Sequence, residues 1–190
     1  MTEFNIHDQN TAPAASQPIL AGVQKKLGFV PNLFGVLAEA PVAAEAYGTL
    51  TELFTRSSFT PTERHVVWFA NIYENECTYC MAAHSGIAKF ENVPEEVIEA
   101  ARNGEPYAEE RLETLRQFTR SMVINRGWVS DEELEAFLAA GFTRQHVLEV
   151  IVGVAHKVIS NYANHIAKVP LDPAFERNTW QKPESSVTKG

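Results

Sequence analysis

Thr60-Pro61-Thr62-Glu63 opens, and Cys77-Thr78-Tyr79-Cys80-Met81-Ala82-Ala83-His84 closes, the stretch of sequence on which the fold turns. Thr60 with Glu63 makes a capping box, in which each residue satisfies a free backbone N–H of the other's turn, and Pro61 fills the first helical position, where its missing N–H costs nothing. The signal predicts a helix running to about Glu74. A second helix over Cys77 to Phe90 follows, so the cysteine and histidine motif is expected on a helical hairpin.

Outward from this hairpin the punctuation stays helical. Ile19 to Leu27 is amphipathic and stops at Gly28, and Pro31 and Pro41 introduce the segments 32–40 and 42–56. Pro94 opens a segment ending at Gly104. Leu112, Leu115, Phe118 and Met122 recur at helical spacing as far as Gly127. Ser130, with Glu133 three residues on, caps the next segment, closed by Gly141. Thr143 starts a long helix to about Lys168, on which Val147, Ile151, Val154, Val158 and Ile166 define an apolar face. Sustained period-2 alternation and Asn-Gly or Asp-Gly hairpin turns are absent from the sequence. The expectation is an all-α chain of about eight helices: an arm over 1–16, one helical domain over 17–175, and a C-terminal tail over 176–190.

Composition narrows the classes of function. A length of 190 residues fits one domain, and 45% hydrophobic residues exclude a wholly disordered chain. Sixteen Lys and Arg against 24 Asp and Glu leave a net charge of −8, which repels a phosphate backbone, and Lys25-Lys26 is the sole basic doublet. Nucleic acid is therefore not an expected partner. No apolar run approaches the ~20 residues that span a bilayer, and Met1-Thr2-Glu3-Phe4 lacks a basic, apolar leader. No membrane partner and a cytoplasmic location are expected.

The chain has two cysteines, Cys77 and Cys80. In a reducing compartment a lone Cys-x-x-Cys points to redox or metal chemistry before a structural staple. Residues three and four apart share a helix face, so Cys77, Cys80 and His84 form one stripe. Helix geometry places the two cysteine Cα atoms roughly 5 Å apart, inside the window that a disulfide needs. A thiolate near a helix start is stabilised by free N–H groups, and His84 can take the thiol proton. By helix-end position alone, Cys77 is the better nucleophile. Two other readings stay open: a zinc site completed by His65, His156 or His165, and a pair of core cysteines with a satisfied histidine.

The stretch from Thr60 to His84 resembles the AhpD-like alkylhydroperoxidase branch of the carboxymuconolactone decarboxylase superfamily, whose signature is a Glu followed by Cys-x-x-Cys-x-x-x-His. The flanking runs Gly28-Phe29-Val30-Pro31-Asn32-Leu33-Phe34, Asn161-Tyr162-Ala163-Asn164-His165-Ile166 and Pro170-Leu171-Asp172 are similar to its peroxidase-related members. The resemblance implies an all-helical homo-oligomer that reduces organic hydroperoxides, an antioxidant role. It implies Cys80 as the attacking thiol, Cys77 as the resolving thiol, and His84 in a proton relay. Twelve residues before the first cysteine, where AhpD has a relay Glu, this chain has His65, and Tyr79 stands where AhpD has a second His. Imidazole shuttles protons near pH 7, so His65 is expected to substitute, while Glu63 lies about 200° away round the helix. No metal or organic cofactor is implied. Electrons would come from a dithiol, lipoyl or thioredoxin-like. A lactone decarboxylase using a histidine, and a non-catalytic helical oligomer binding a metal or a partner, are the alternatives.

Among the remaining candidates, Trp68, Phe69 and Tyr73 are expected in the core. His156 and His165 are expected on opposite sides of the last helix, with Asn161 and His165 sharing a polar pocket. Gly153 is expected at a close helix contact.

Overall fold

A computed structural model describes residues 4–184 of the chain; the expected tail residues 185–190 and the first three residues of the arm lie outside the described residues. Nine α-helices are present among the described residues: α1 (Gln17–Leu27), α2 (Asn32–Leu37), α3 (Pro41–Thr55), α4 (Pro61–Glu74), α5 (Thr78–Phe90), α6 (Glu95–Asn103), α7 (Glu110–Ile124), α8 (Asp131–Ala139) and α9 (Arg144–Ala167). A single 3-10 helix, Pro173–Asn178, follows. No strand occurs among these residues, and no single helix is long and apolar enough to cross a membrane.

Helix α4 sits at the centre. Its capping box forms as the sequence implies, with the Thr60 hydroxyl accepting from the Glu63 N–H and the Glu63 carboxylate accepting from the Thr60 N–H. Residues on all sides of it are buried, from His65 through Ile72, because α3, α5, α6, α7 and α9 all pack on it. Gly153 lets α9 approach: a Cβ there would lie 2.8 Å from both Phe54 and Val67. On the far side Phe118, Phe137 and Phe142 stack with centroids 4.1 and 4.4 Å apart, tying α7, α8 and the start of α9 together.

How α4 ends decides where Cys77 stands. Glu76 takes a left-handed conformation, φ 54°, and two bonds close the helix: Glu76 N–H to the Tyr73 carbonyl and Cys77 N–H to the Ile72 carbonyl. This is the Schellman arrangement, which satisfies the last free carbonyls. Cys77 is then both the last residue of that turn and the N-cap of α5.

Parts of the expected arm and tail pack against the helical domain. In the arm, Ser16 is buried and its hydroxyl donates to the Ala38 carbonyl, while the His7 N–H donates to the Gly35 carbonyl. Beyond residue 175 the chain crosses α5 and α6. The Trp180 indole is buried and donates to the Arg102 carbonyl, and the Arg102 guanidinium bonds the carbonyls of Asn178 and Thr179. These are single anchoring side chains in polar runs, a pattern without the periodicity by which sequence reading finds packed segments.

Candidate functional site

Cys77 and Cys80 face the middle of α9. As N-cap and third residue of α5 they lie within one helical turn, and both are free thiols, 1% and 2% exposed. The polar groups around them come from α9. Asn164 places its side-chain amide 3.2 Å from the Cys80 sulfur and 3.7 Å from that of Cys77.

The two thiols are driven apart electrically. Burial pushes the Cys80 thiol up, but the Cys77 S–H, the Lys157 ammonium, the Ser160 hydroxyl and the Asn164 amide together outweigh it and bring the value down to about 7. Cys77 is pushed up from the ordinary thiol range by its interaction with the Cys80 sulfur and by burial. The structure thus reverses the helix-end argument that favoured Cys77. Position at a helix terminus is a weaker influence here than an ammonium and the Asn164 amide in a dry site.

His84 is buried on the same face of α5, yet no hydrogen bond joins it to either sulfur among the described residues. Its Nε2 instead lies 2.6 Å from Lys157 Nζ; with the lysine as ammonium the ring accepts there and carries its proton on Nδ1, which has no partner among the described residues. Burial, then the Lys157 charge, holds its pKa well below 6.5. His65 lies fully buried on α4, its ring 6.0 Å from that of His84, with Nε2 3.4 Å from a Glu91 carboxylate oxygen. Burial lowers its pKa to about 4 against the opposing pull of Glu91. The four residues singled out in the sequence, Cys77, Cys80, His84 and His65, are therefore gathered in one region. Glu63 is on the other side of α4, bonded to Arg111 at 2.8 Å.

The other candidates divide. Trp68 is buried and its ring faces His84 and His156, forming a wall of the site, whereas Phe69 packs in the core. His156 is buried, stacked on Tyr47 and bonded to the Thr51 hydroxyl at 2.8 Å. Asn161 and His165 do not share a pocket: Asn161 is buried with its amide on Asn71, and His165 is exposed. No three His, Cys, Asp or Glu side chains among the described residues converge as a metal site would need.

Sequence reading passed over Lys157, Ser160 and Tyr47, and it quoted Asn164 and Asp172 in flanking runs without giving them a role. Lys157, Ser160 and Asn164 lie, with Val150, Gly153 and Asn161, on the buried side of α9. The apolar face expected there is wrong in part: Ile151 is 48% and Ile166 71% exposed, and the inward face is the polar one. The signal available was the spacing of Gly153, Lys157, Ser160 or Asn161, and Asn164, a polar stripe at helical period that reads by default as solvated. Tyr79, between the cysteines, donates its hydroxyl to the Asp172 carboxylate, which also accepts from the Asn32 N–H, so the chain after α9 is tied across the motif.

No protein-family model matches the sequence, and no curated protein sequence matches it. Solved structures do match its fold. A peroxidase-related protein from Ralstonia eutropha JMP134, described as an alkylhydroperoxidase AhpD core, superposes with a TM-score of 0.80 at 23% identity, covering 91% of this chain and 93% of that one. A peroxidase-related protein from Silicibacter sp. TM1040 gives 0.74 at 17% identity, covering 92% and 95%. The debrominase Bmp8, in a Cys-to-Ala variant bound to 2,3,4-tribromopyrrole, gives 0.76 at 19% identity, covering 94% and 96%. The fold is the all-helical AhpD-like fold that the motif resemblance implied.

Proposed function

We propose that the chain is a thiol-dependent hydroperoxide reductase that cycles Cys77 and Cys80 between dithiol and disulfide. The observation that carries this reading is geometric: two buried free thiols lie within one helical turn, with the Asn164 amide 3.2 Å from the Cys80 sulfur and 3.7 Å from that of Cys77, and the surroundings favour the thiolate at Cys80 over Cys77. Thiolate attack on the peroxide oxygen breaks the O–O bond, giving a Cys80 sulfenic acid and an alcohol once a proton reaches the leaving alkoxide. Cys77 then displaces water from that sulfenic acid to form the disulfide. Two electrons have passed from sulfur to oxygen, and a dithiol donor, lipoyl or thioredoxin-like, returns them. His84 and His65 belong to the proton relay, and the chemistry calls for no metal or organic cofactor.

Reduced protein given an alkyl hydroperoxide should lose both free thiols per chain. The Cys80→Ser variant should consume no peroxide above background, and consumption at the wild-type rate would overturn the assignment. The likeness to a debrominase suggests a second acceptor for the same two electrons, a brominated pyrrole, with bromide released as the C–Br bond is replaced by C–H. Bromide release from 2,3,4-tribromopyrrole, measured beside peroxide loss, separates the two acceptors. A lactone decarboxylase would instead retain activity in the double variant Cys77→Ser, Cys80→Ser. A homo-oligomer of cytoplasmic location, with no nucleic-acid or membrane partner, completes the proposal.

A further inference from the structure

Lys157 is a buried cation beside the thiols, and its burial calls for a physical explanation. Its side chain is fully buried near the middle of α9, and among the described residues it makes no ion pair with a carboxylate. Its Nζ lies 2.6 Å from His84 Nε2 and 5.6 Å from the ring centroids of both Tyr47 and Trp68. The titratable groups facing it are Tyr47 from α3, His65 from α4, Cys77, Cys80 and His84 from the turn and α5, and its neighbour His156. The histidines are held neutral, and burial keeps the Tyr47 phenol protonated. An ammonium stripped of water costs several kcal/mol unless an anion stands nearby. The anion this site can supply is a cysteine thiolate.

We propose that Lys157 and Cys80 form a charge-conserving pair in which Lys157 donates the proton that peroxide cleavage consumes. The inference rests on the thiol reading above and adds the source of its proton. Before reaction the site holds Lys157 as ammonium, Cys80 as thiolate and Cys77 as thiol, with no net charge. Cys80 attacks the peroxide, the O–O bond breaks, and the alkoxide takes its proton from Lys157 to leave as alcohol. Cys77 then attacks the sulfenic acid, its thiol proton leaves with the hydroxyl as water, and the disulfide closes. The product site holds a disulfide and a neutral amine, again with no net charge. On reduction by the dithiol donor, a proton returns to Lys157 as Cys80 is regenerated as thiolate. A buried site cannot tolerate a large change in net charge, which is why donor and nucleophile belong on facing helices.

Burial brings the Lys157 pKa down to about 8 in spite of the thiolates that support its charge. Forming the disulfide removes those thiolates, so the amine then has no anion to hold its proton.

Two measurements test the pair without relying on peroxidase activity. Thiolate absorbance at 240 nm, followed against pH on reduced protein, should move up by more than one pH unit in Lys157→Met, so that thiolate at pH 7 falls at least about fivefold. A Lys157→Met titration superimposable on the wild type's would overturn the proposal. Lys157→Arg keeps a positive charge and should keep the thiolate, yet it cannot release a proton and should lose turnover. The second measurement needs no variant. Reduced wild-type protein, at a pH where 240 nm absorbance shows one thiolate, is oxidised by diamide in weak buffer. Close to zero protons should leave the solution per disulfide formed; uptake of one proton per disulfide would overturn the proposal. Failure to react with hydroperoxide, by contrast, would sink the peroxidase reading and leave this pairing standing.

Discussion

Helices α7 and α9 both pack against α4, and both place a basic residue in the interior, yet they are built on opposite plans. On α7 the inward face is Leu112, Leu115, Phe118 and Met122, and the buried Arg116 is held by the Glu113 carboxylate at 2.7 and 2.6 Å. On α9 the inward face carries Lys157, Ser160, Asn161 and Asn164, and several of its apolar residues point outward. A core face can be any set of apolar side chains of fitting volume. A face that must polarise a thiol has to bring charge and amide donors into a dry place, against the ordinary transfer cost. The first plan makes stability; the second, on the function proposed above, gives some of it up for thiol chemistry.

Acid should separate the two most strongly. His65, His84 and His156 are kept neutral by burial, with His65 down to about 4. In the unfolded chain each binds a proton near ~6.5, so below that pH the unfolded state holds more protons and stability falls. The slope is up to about 1.4 kcal/mol per pH unit for each histidine, and nothing is lost from this source above pH ~6.5. The Glu113 carboxyl of α7 is held below its ordinary 4.5, so that pair fails only in stronger acid. Denaturant midpoints between pH 7 and 5 should fall steadily, and a flat profile would show that these histidines are not buried neutral.

Next in size is a direct contrast of the two helices. Leu115→Ala on α7 should cost about 2–5 kcal/mol of unfolding free energy, since the side chain is fully buried and leaves a cavity. Lys157→Met on α9 should cost less than this, because the thiolate left without its ammonium can take up a proton and become neutral instead of staying buried as an unpaired charge. Equal losses in urea unfolding would erase the distinction. A smaller effect is expected at a site belonging to neither plan: Ser130→Ala should cost about 1 kcal/mol through loss of the α8 capping box. The smallest is at the turn before Cys77, where Glu76→Gly should gain roughly 0.5–1 kcal/mol by relieving the left-handed conformation.

These contrasts also explain what could be read from the sequence. The helices follow local signals: capping boxes at Thr60, Ser130 and Thr143, glycine after α1, α6 and the turn beyond α8. Those signals act over a few residues and are legible one segment at a time. The cysteine–histidine stripe is legible for the same reason. Lys157 and Asn164 are not, because a polar helix face reads as solvated until the partner helix is known. Asp172 reaches Tyr79 from 93 residues away, a pairing that no spacing rule anticipates.

The central claim is that folding turns one of two buried thiols into a nucleophile near neutral pH. A pH titration of the reduced wild-type protein at 240 nm tests it directly. One thiolate per chain should appear with a midpoint of about 7, where burial is outweighed by Cys77, Lys157, Ser160 and Asn164, and it should vanish in Cys80→Ser. No thiolate below pH 9, or an unchanged signal in Cys80→Ser, would contradict it.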